Sequence, residues 1–120
     1  LNFQLNDRFL LTLLLIGQPE LRERIAAIQQ LEQRISIKFH LGALTSEETQ
    51  AYVHSRLETA GVTRKIFRDD AVNAVYQASR GIPREINNIC DVCLLLGFGS
   101  RLEELDATVV DKAHKAVKQL

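Results

Sequence analysis

The stretch "SRGIPREINNICDVCLLLGFG", residues 79–99, carries both cysteines of the chain and one of its two prolines. Gly81 reads as the stop of one helix, because glycine takes the left-handed turn that closes a helix at little steric cost. Pro83 reads as the first position of the next, where its missing N–H would have no partner anyway. Ile86, Ile89, Cys90, Cys93 and Leu94 then recur at helical spacing, and the helix is expected to end around Gly97 to Gly99. The stretch is therefore a corner between two helices.

The same pattern extends in both directions. Upstream, residues 69–80 place Ala71, Val72, Val75 and Tyr76 on one helical face. Before that, Thr45 and Glu48 have the spacing of a capping box, which opens a helix running to about Ala60, with Tyr52, Val53 and Leu57 on one side and Gly61 as its stop. Downstream, Asp106 is placed to cap a last helix carrying Val109, Val110, Ala113 and Val117. Everything from about residue 44 onward reads as a bundle of four helices.

Residues 10–16, "LLTLLLI", are different. The run is apolar on both faces and stops at Gly17-Gln18-Pro19. Its length and that stop favour a central strand of a parallel α/β sheet, although periodicity alone admits a buried helix. Pro19 then opens a helix with Leu21, Ile25 and Ile28, and Leu31 and Ile35 continue the spacing in a further short turn. Ile35, Ile37, Phe39 and Leu41 alternate with Ser36, Lys38 and His40, the mark of a half-exposed strand. The composition changes near residues 42–45, so a strand-containing part, 1–43, is expected to precede an all-helical part, 44–120.

The totals exclude several classes. With 120 residues the chain has the length of one ordinary domain, and 46% hydrophobic with 25% charged residues fits a globular protein. Fifteen basic residues balance fifteen acidic ones. There is thus no net attraction to nucleic acid or to an anionic membrane. The longest apolar run is too short to cross a bilayer, and no secretory signal is visible. Two cysteines without such a signal suggest free thiols in a reducing compartment. The first residue is Leu rather than Met, so the chain is expected to be part of something longer.

The Cys90–Cys93 pair invites a metal or redox reading. Zinc takes four ligands, and His40, His54 and His114 are too scattered to complete a set. A redox C-x-x-C sits at a helix start, where the dipole lowers the thiol pKa, whereas Cys90 lies about two turns in. Both thiols fall on the side of Ile86 and Ile89, so the expectation is core packing and no metal site.

Arg84 lies in the first turn of its helix. Free N–H groups and the helix dipole favour an anion there, and a guanidinium fork adds a match to phosphate. The plain alternative is a solvated surface arginine. Arg34 follows the amphipathic helix and precedes the second expected strand, as a dipole-favoured C-terminal arginine also would. Gln18 stands at the carboxyl end of the first expected strand, where open α/β sheets bind ligands, and can equally be a turn residue.

The strings "LLLIGQPELRERI", "LEQRISIKFHLGALTSEETQAYVHSRLETAG" and "SRGIPREINNICDVCLLLGF" together resemble one group of AAA+ ATPases. These are the ExeA/GspA-like general secretion pathway ATPases, with relatives from pilus-biogenesis and exopolysaccharide loci. The resemblance runs from about Leu10 to Leu120. It implies the last two strands of a parallel P-loop NTPase sheet in residues 1–43, followed by a helical lid in 44–120. The family's Walker A loop and acidic Walker B strand have no counterpart in these 120 residues, and are expected upstream.

By position, Gln18 looks like the sensor 1 residue, although Asn or Thr is commoner there. Arg34 looks like the arginine finger that reaches a neighbouring subunit's site. Arg84, with Pro83 before it, looks like the sensor 2 arginine at the γ-phosphate. Arginine fingers are worth roughly 10³–10⁵ in rate. The resemblance further implies ATP and Mg²⁺ as cofactors of the full-length protein, with none held by this segment alone. It implies a homo-oligomeric ring, secretion or pilus membrane proteins as partners, and a cytoplasmic segment whose inner-membrane tether, where the parent has one, lies elsewhere. The segment alone is expected to be inactive. The competing function is a non-enzymatic helical module that binds another protein or DNA, as lids of replication or transposition ATPases do. Neutral charge and 6% aromatic residues speak against DNA.

Overall fold

In a computed structural model, the backbone is described for residues 4–5, 8–9 and 11–119. The chain divides into two compact units, residues 1–41 and 42–120.

The first unit contains a two-stranded antiparallel hairpin, β1 (Gln4–Leu5) and β2 (Arg8–Phe9), and two short helices, α1 (Glu20–Ala26) and α2 (Gln29–Glu32). Pro19 already has helical angles (φ −52°, ψ −29°) but serves as the cap of α1, one position before its expected place. No residue of α1 or α2 is buried.

The two expected strands are not formed. Residue 10 lies outside the described residues, and residues 11–18 and 35–45 have no regular structure. Leu14 is 76% exposed, Ile16 84%, Phe39 82% and Leu41 85%. The physical reason is pairing. A strand apolar on both faces needs a hydrogen-bonded neighbour along its edges and a layer over each face. The described residues supply neither, and the pairing of β1 with β2 is local and antiparallel.

The second unit is a bundle of α3 (Ser46–Thr59), α4 (Asp69–Ser79), α5 (Pro83–Gly99) and α6 (Ala107–Lys118). α5 packs against α4 and α6, α4 also packs against α6, and α3 rests mainly on α4. The core is Val53 from α3, Ala71, Val72 and Val75 from α4, Ile86, Ile89 and Cys93 from α5, and Val109, Val110 and Ala113 from α6. Phe67 and Leu105 complete it from the loops before α4 and α6.

Local signals set most of the ends. Thr45 Oγ1 accepts from the Glu48 N–H at 3.1 Å, and the Glu48 carboxylate accepts in return from the Thr45 N–H, so the capping box is present. Asp106 accepts from the Val109 N–H at 3.2 Å. α3 ends as expected at Gly61 (φ +88°), with the Gly61 and Val62 N–H groups returning to the Glu58 and Leu57 carbonyls in a Schellman motif.

α4 stops at Ser79 because Arg80 itself turns left-handed (φ 55°), one residue before Gly81. α5 ends at Gly99, within the expected range, and the chain then turns at a left-handed Arg101 (φ 56°), whose successor Leu102 donates to the Gly97 carbonyl. Gly97 is kept inside the helix by packing. A Cβ there would lie 2.5 Å from the Leu105 side chain.

Candidate functional site

The start of α5 is built by the corner that precedes it. Gly81 (φ +75°) accepts from the Leu44 N–H at 2.8 Å, and a Cβ on Gly81 would fall 2.0 Å from the Leu44 carbonyl oxygen. Only glycine fits both that backbone angle and that approach. Buried Ser79 turns its hydroxyl to accept from the Gly81 N–H at 3.2 Å. Ile82 is extended (ψ 116°), as a residue before proline should be, and Pro83 takes the first helical position as expected.

Arg84 follows, exposed to solvent. Ile82, at the cap position, has no side-chain oxygen, and α5 has no side-chain cap hydrogen bond. The Arg84 and Glu85 N–H groups therefore point out of the helix start unclaimed, beside a guanidinium that makes no ion pair among the described residues. That combination favours an anionic oxygen at this end of α5. Glu85, half-buried, turns towards a shallow depression that it shares with Arg80, Ile82, His114 and Lys118, whereas Arg84 stays outside it.

Gln18 and Arg34 belong to the first unit and are both exposed. The Gln18 carbonyl accepts from the Leu21 N–H at 2.9 Å, which makes it the turn residue that starts α1. Arg34 closes the turn after α2, its N–H bonded to the Leu31 carbonyl at 3.1 Å. The side chains of both are without hydrogen-bond partners among the described residues. Arg84 thus lies in one unit, and Gln18 and Arg34 in the other.

The thiols are core groups, as expected. Cys93 is fully buried and Cys90 half-buried. Burial pushes both thiols up to about 12, and for Cys90 the neighbouring Cys93 and Asp91 add to the effect. That is the opposite of an activated redox cysteine. Among the described residues no group of His, Cys, Asp and Glu is arranged to hold a metal. Likewise, among them no helix is long and apolar enough to cross a membrane.

One contact near Arg84 was not visible in the sequence. Tyr52 on α3 donates its hydroxyl to the Asn87 side-chain oxygen at 2.8 Å, and both residues are half-buried. Asn87 lies three positions after Arg84, the spacing that puts two residues side by side on a helix.

The helical unit thus presents an exposed arginine at an uncapped helix start, set behind a tight glycine corner. Over 99 residues, 81% of this chain, the sequence is 41% identical to General secretion pathway protein A of Aeromonas hydrophila, and this match supports the ExeA/GspA-like family for the chain. The chain spans only 18% of that protein's length. No family model and no solved structure matches the chain.

Proposed function

We propose that the helical unit is the lid of an AAA+ ATPase serving a secretion apparatus, and that Arg84 is its sensor 2 residue. The observation that carries this reading is the exposed Arg84 beside unclaimed N–H groups at the start of α5. A γ-phosphate oxygen placed there would accept from the guanidinium and from the helix start together. Bound ATP with Mg²⁺ would supply the phosphoryl group and the charge neutralisation its transfer needs. The phosphate cradle and metal-holding acids are not among these 120 residues, so the nucleotide would be held mainly by other parts of a longer protein.

In that protein, residues 10–16 and 35–41 would join a parallel sheet as its last strands, which would cover the exposed side chains of Leu14, Ile16, Ile37, Phe39 and Leu41. Gln18 would then stand at a strand end as sensor 1, and Arg34 would reach a neighbouring subunit of a homo-oligomeric ring as the arginine finger. Pro83 fixes the first turn that presents Arg84. The membrane partners would be proteins of the secretion machine.

The test is steady-state ATP turnover by the full-length protein. Arg84→Ala and Arg34→Ala should each lower it, and the 120-residue segment alone should show none. Normal turnover by both variants overturns the assignments, and turnover by the segment at the parent's rate overturns the reading as a part of the ATPase.

A further inference from the structure

The start of α5 is tied to α3 at two points, and both bear on Arg84. The first is the backbone bond from Leu44, one residue before the cap of α3, to Gly81 at the corner. It fixes where the corner sits. Gly81 lies outside the helix, so this bond does not itself hold any residue of the first turn of α5. The second point is the hydrogen bond from Tyr52 to Asn87 at 2.8 Å. Asn87 lies inside the helix, one turn beyond Arg84 and on the same side. A bond there resists rotation of the first turns and sets the direction in which residue 84 leaves the helix.

The alternative supports are weak on this side. α3 packs mainly on α4, so few groups join it to α5. The core side chains of α5, Ile86, Ile89 and Cys93, are fully buried, and α5 packs chiefly on α6 and α4. Apolar packing is non-directional, and the hydrogen bond adds a directional restraint on the α3 side of α5. Tyr52 and Asn87 are also half-buried. Breaking the pair would leave a polar group with a poor exchange for water.

We propose that Tyr52 and Asn87 form a positioning pair, which holds the first two turns of α5 in the rotation that aims Arg84 at the phosphate. The inference rests on the reading of Arg84 as the phosphate-sensing residue. It makes the pair neither ligand-binding nor catalytic in itself. Its effect should appear in turnover and not in ground-state affinity, because a misaimed sensor weakens an interaction that matures as charge develops in the transition state.

The experiment is a double-mutant cycle in the full-length protein, reading kcat and KM for ATP together with the unfolding temperature. Tyr52→Phe removes only the hydroxyl, and Asn87→Ala tests the pair from the other side. Each should lower kcat on the order of tenfold with KM for ATP within about twofold, in keeping with the cost of small misplacements. In an Arg84→Ala background neither should lower kcat further, since there is no longer a sensor to aim.

Four outcomes decide the matter. The non-additive drop supports the pair. If Arg84→Ala lowers kcat and Tyr52→Phe changes only the unfolding temperature, the positioning role is overturned and the sensor reading stands. If Tyr52→Phe lowers kcat by the same factor with or without Arg84, the pair acts through something else and the proposal fails. If Arg84→Ala leaves kcat unchanged, the sensor reading fails and the positioning role falls with it.

Discussion

Residues 11–41 and residues 42–119 are both rich in aliphatic side chains, yet only the second set is packed. Among the described residues, every buried one lies between Thr49 and Ala113, while Leu14, Ile16, Ile37, Phe39 and Leu41 stand open to solvent. The difference lies in how each pattern completes itself. A helix satisfies its own backbone and needs only another amphipathic face, which three neighbouring helices provide. A run apolar on both faces, if it is to be a strand, needs ladder partners from other segments. The first region is thus a pattern awaiting its context, and the second already contains its own.

The broadest way to break this contrast is to separate the regions. A polypeptide of residues 42–120 should unfold in one cooperative transition followed by circular dichroism, and a polypeptide of residues 11–41 should show none. Cooperative melting of the shorter piece would refute the division.

Glycine substitutions sharpen it at single positions. Gly81→Ala should destabilise the protein by about 3 kcal/mol or more, because the new Cβ meets backbone at a left-handed residue. Gly17→Ala meets the side chain of Leu21, 2.8 Å from Cδ2 and 3.1 Å from Cβ, with no backbone among the near atoms, and should cost about 1 kcal/mol or less. Urea unfolding of the two variants makes the comparison, and equal losses would contradict it.

The thiols give the most pH-specific effect. Cys93→Ser should cost about 2 kcal/mol by burying a hydroxyl without a partner. Both thiols are raised from an ordinary 9.0 to about 12 in the fold. Between those values the unfolded chain loses thiol protons that the native protein keeps, so unfolding releases protons. The thiol contribution is therefore level below pH 9 and falls as pH rises towards 12. A Cys90→Ala/Cys93→Ala variant should lose less stability over that window than the parent. An identical pH profile would show that the thiols do not titrate differently on folding.

What the sequence revealed follows the range of each signal. Thr45 with Glu48, Asp106, Pro83 and Gly61 act within a turn of themselves, and the structure bears out each of them. The left-handed Arg80 and Arg101 escaped notice because that conformation is usually glycine's. The glycines at 97 and 99 marked the end of α5, which closes at Gly99, but nothing local showed that Gly97 lies under Leu105 with no room for a Cβ. Phe67 and Leu105 joined the core from loops, where no periodicity announces burial. At the candidate site, Gly-Ile-Pro-Arg placed Arg84 at a helix start without help. Tyr52 and Asn87 are 35 residues apart, and nothing local links them.

The loops that carry Phe67 and Leu105 are stitched together. Arg68 donates its N–H to the Leu105 carbonyl at 2.9 Å, Leu105 donates to the Ile66 carbonyl at 2.8 Å, and the Arg64 guanidinium reaches the Glu103 carbonyl. A protease must draw out an extended length of chain before it can cut. These loops hold Arg64, Lys65, Arg68 and Arg101, all sites for trypsin, yet they can be drawn out only by undoing the entries to α4 and α6 together. Arg34 and Lys38 carry no such stitching. The first scars of digestion should therefore fall ahead of the bundle and leave its long connections whole.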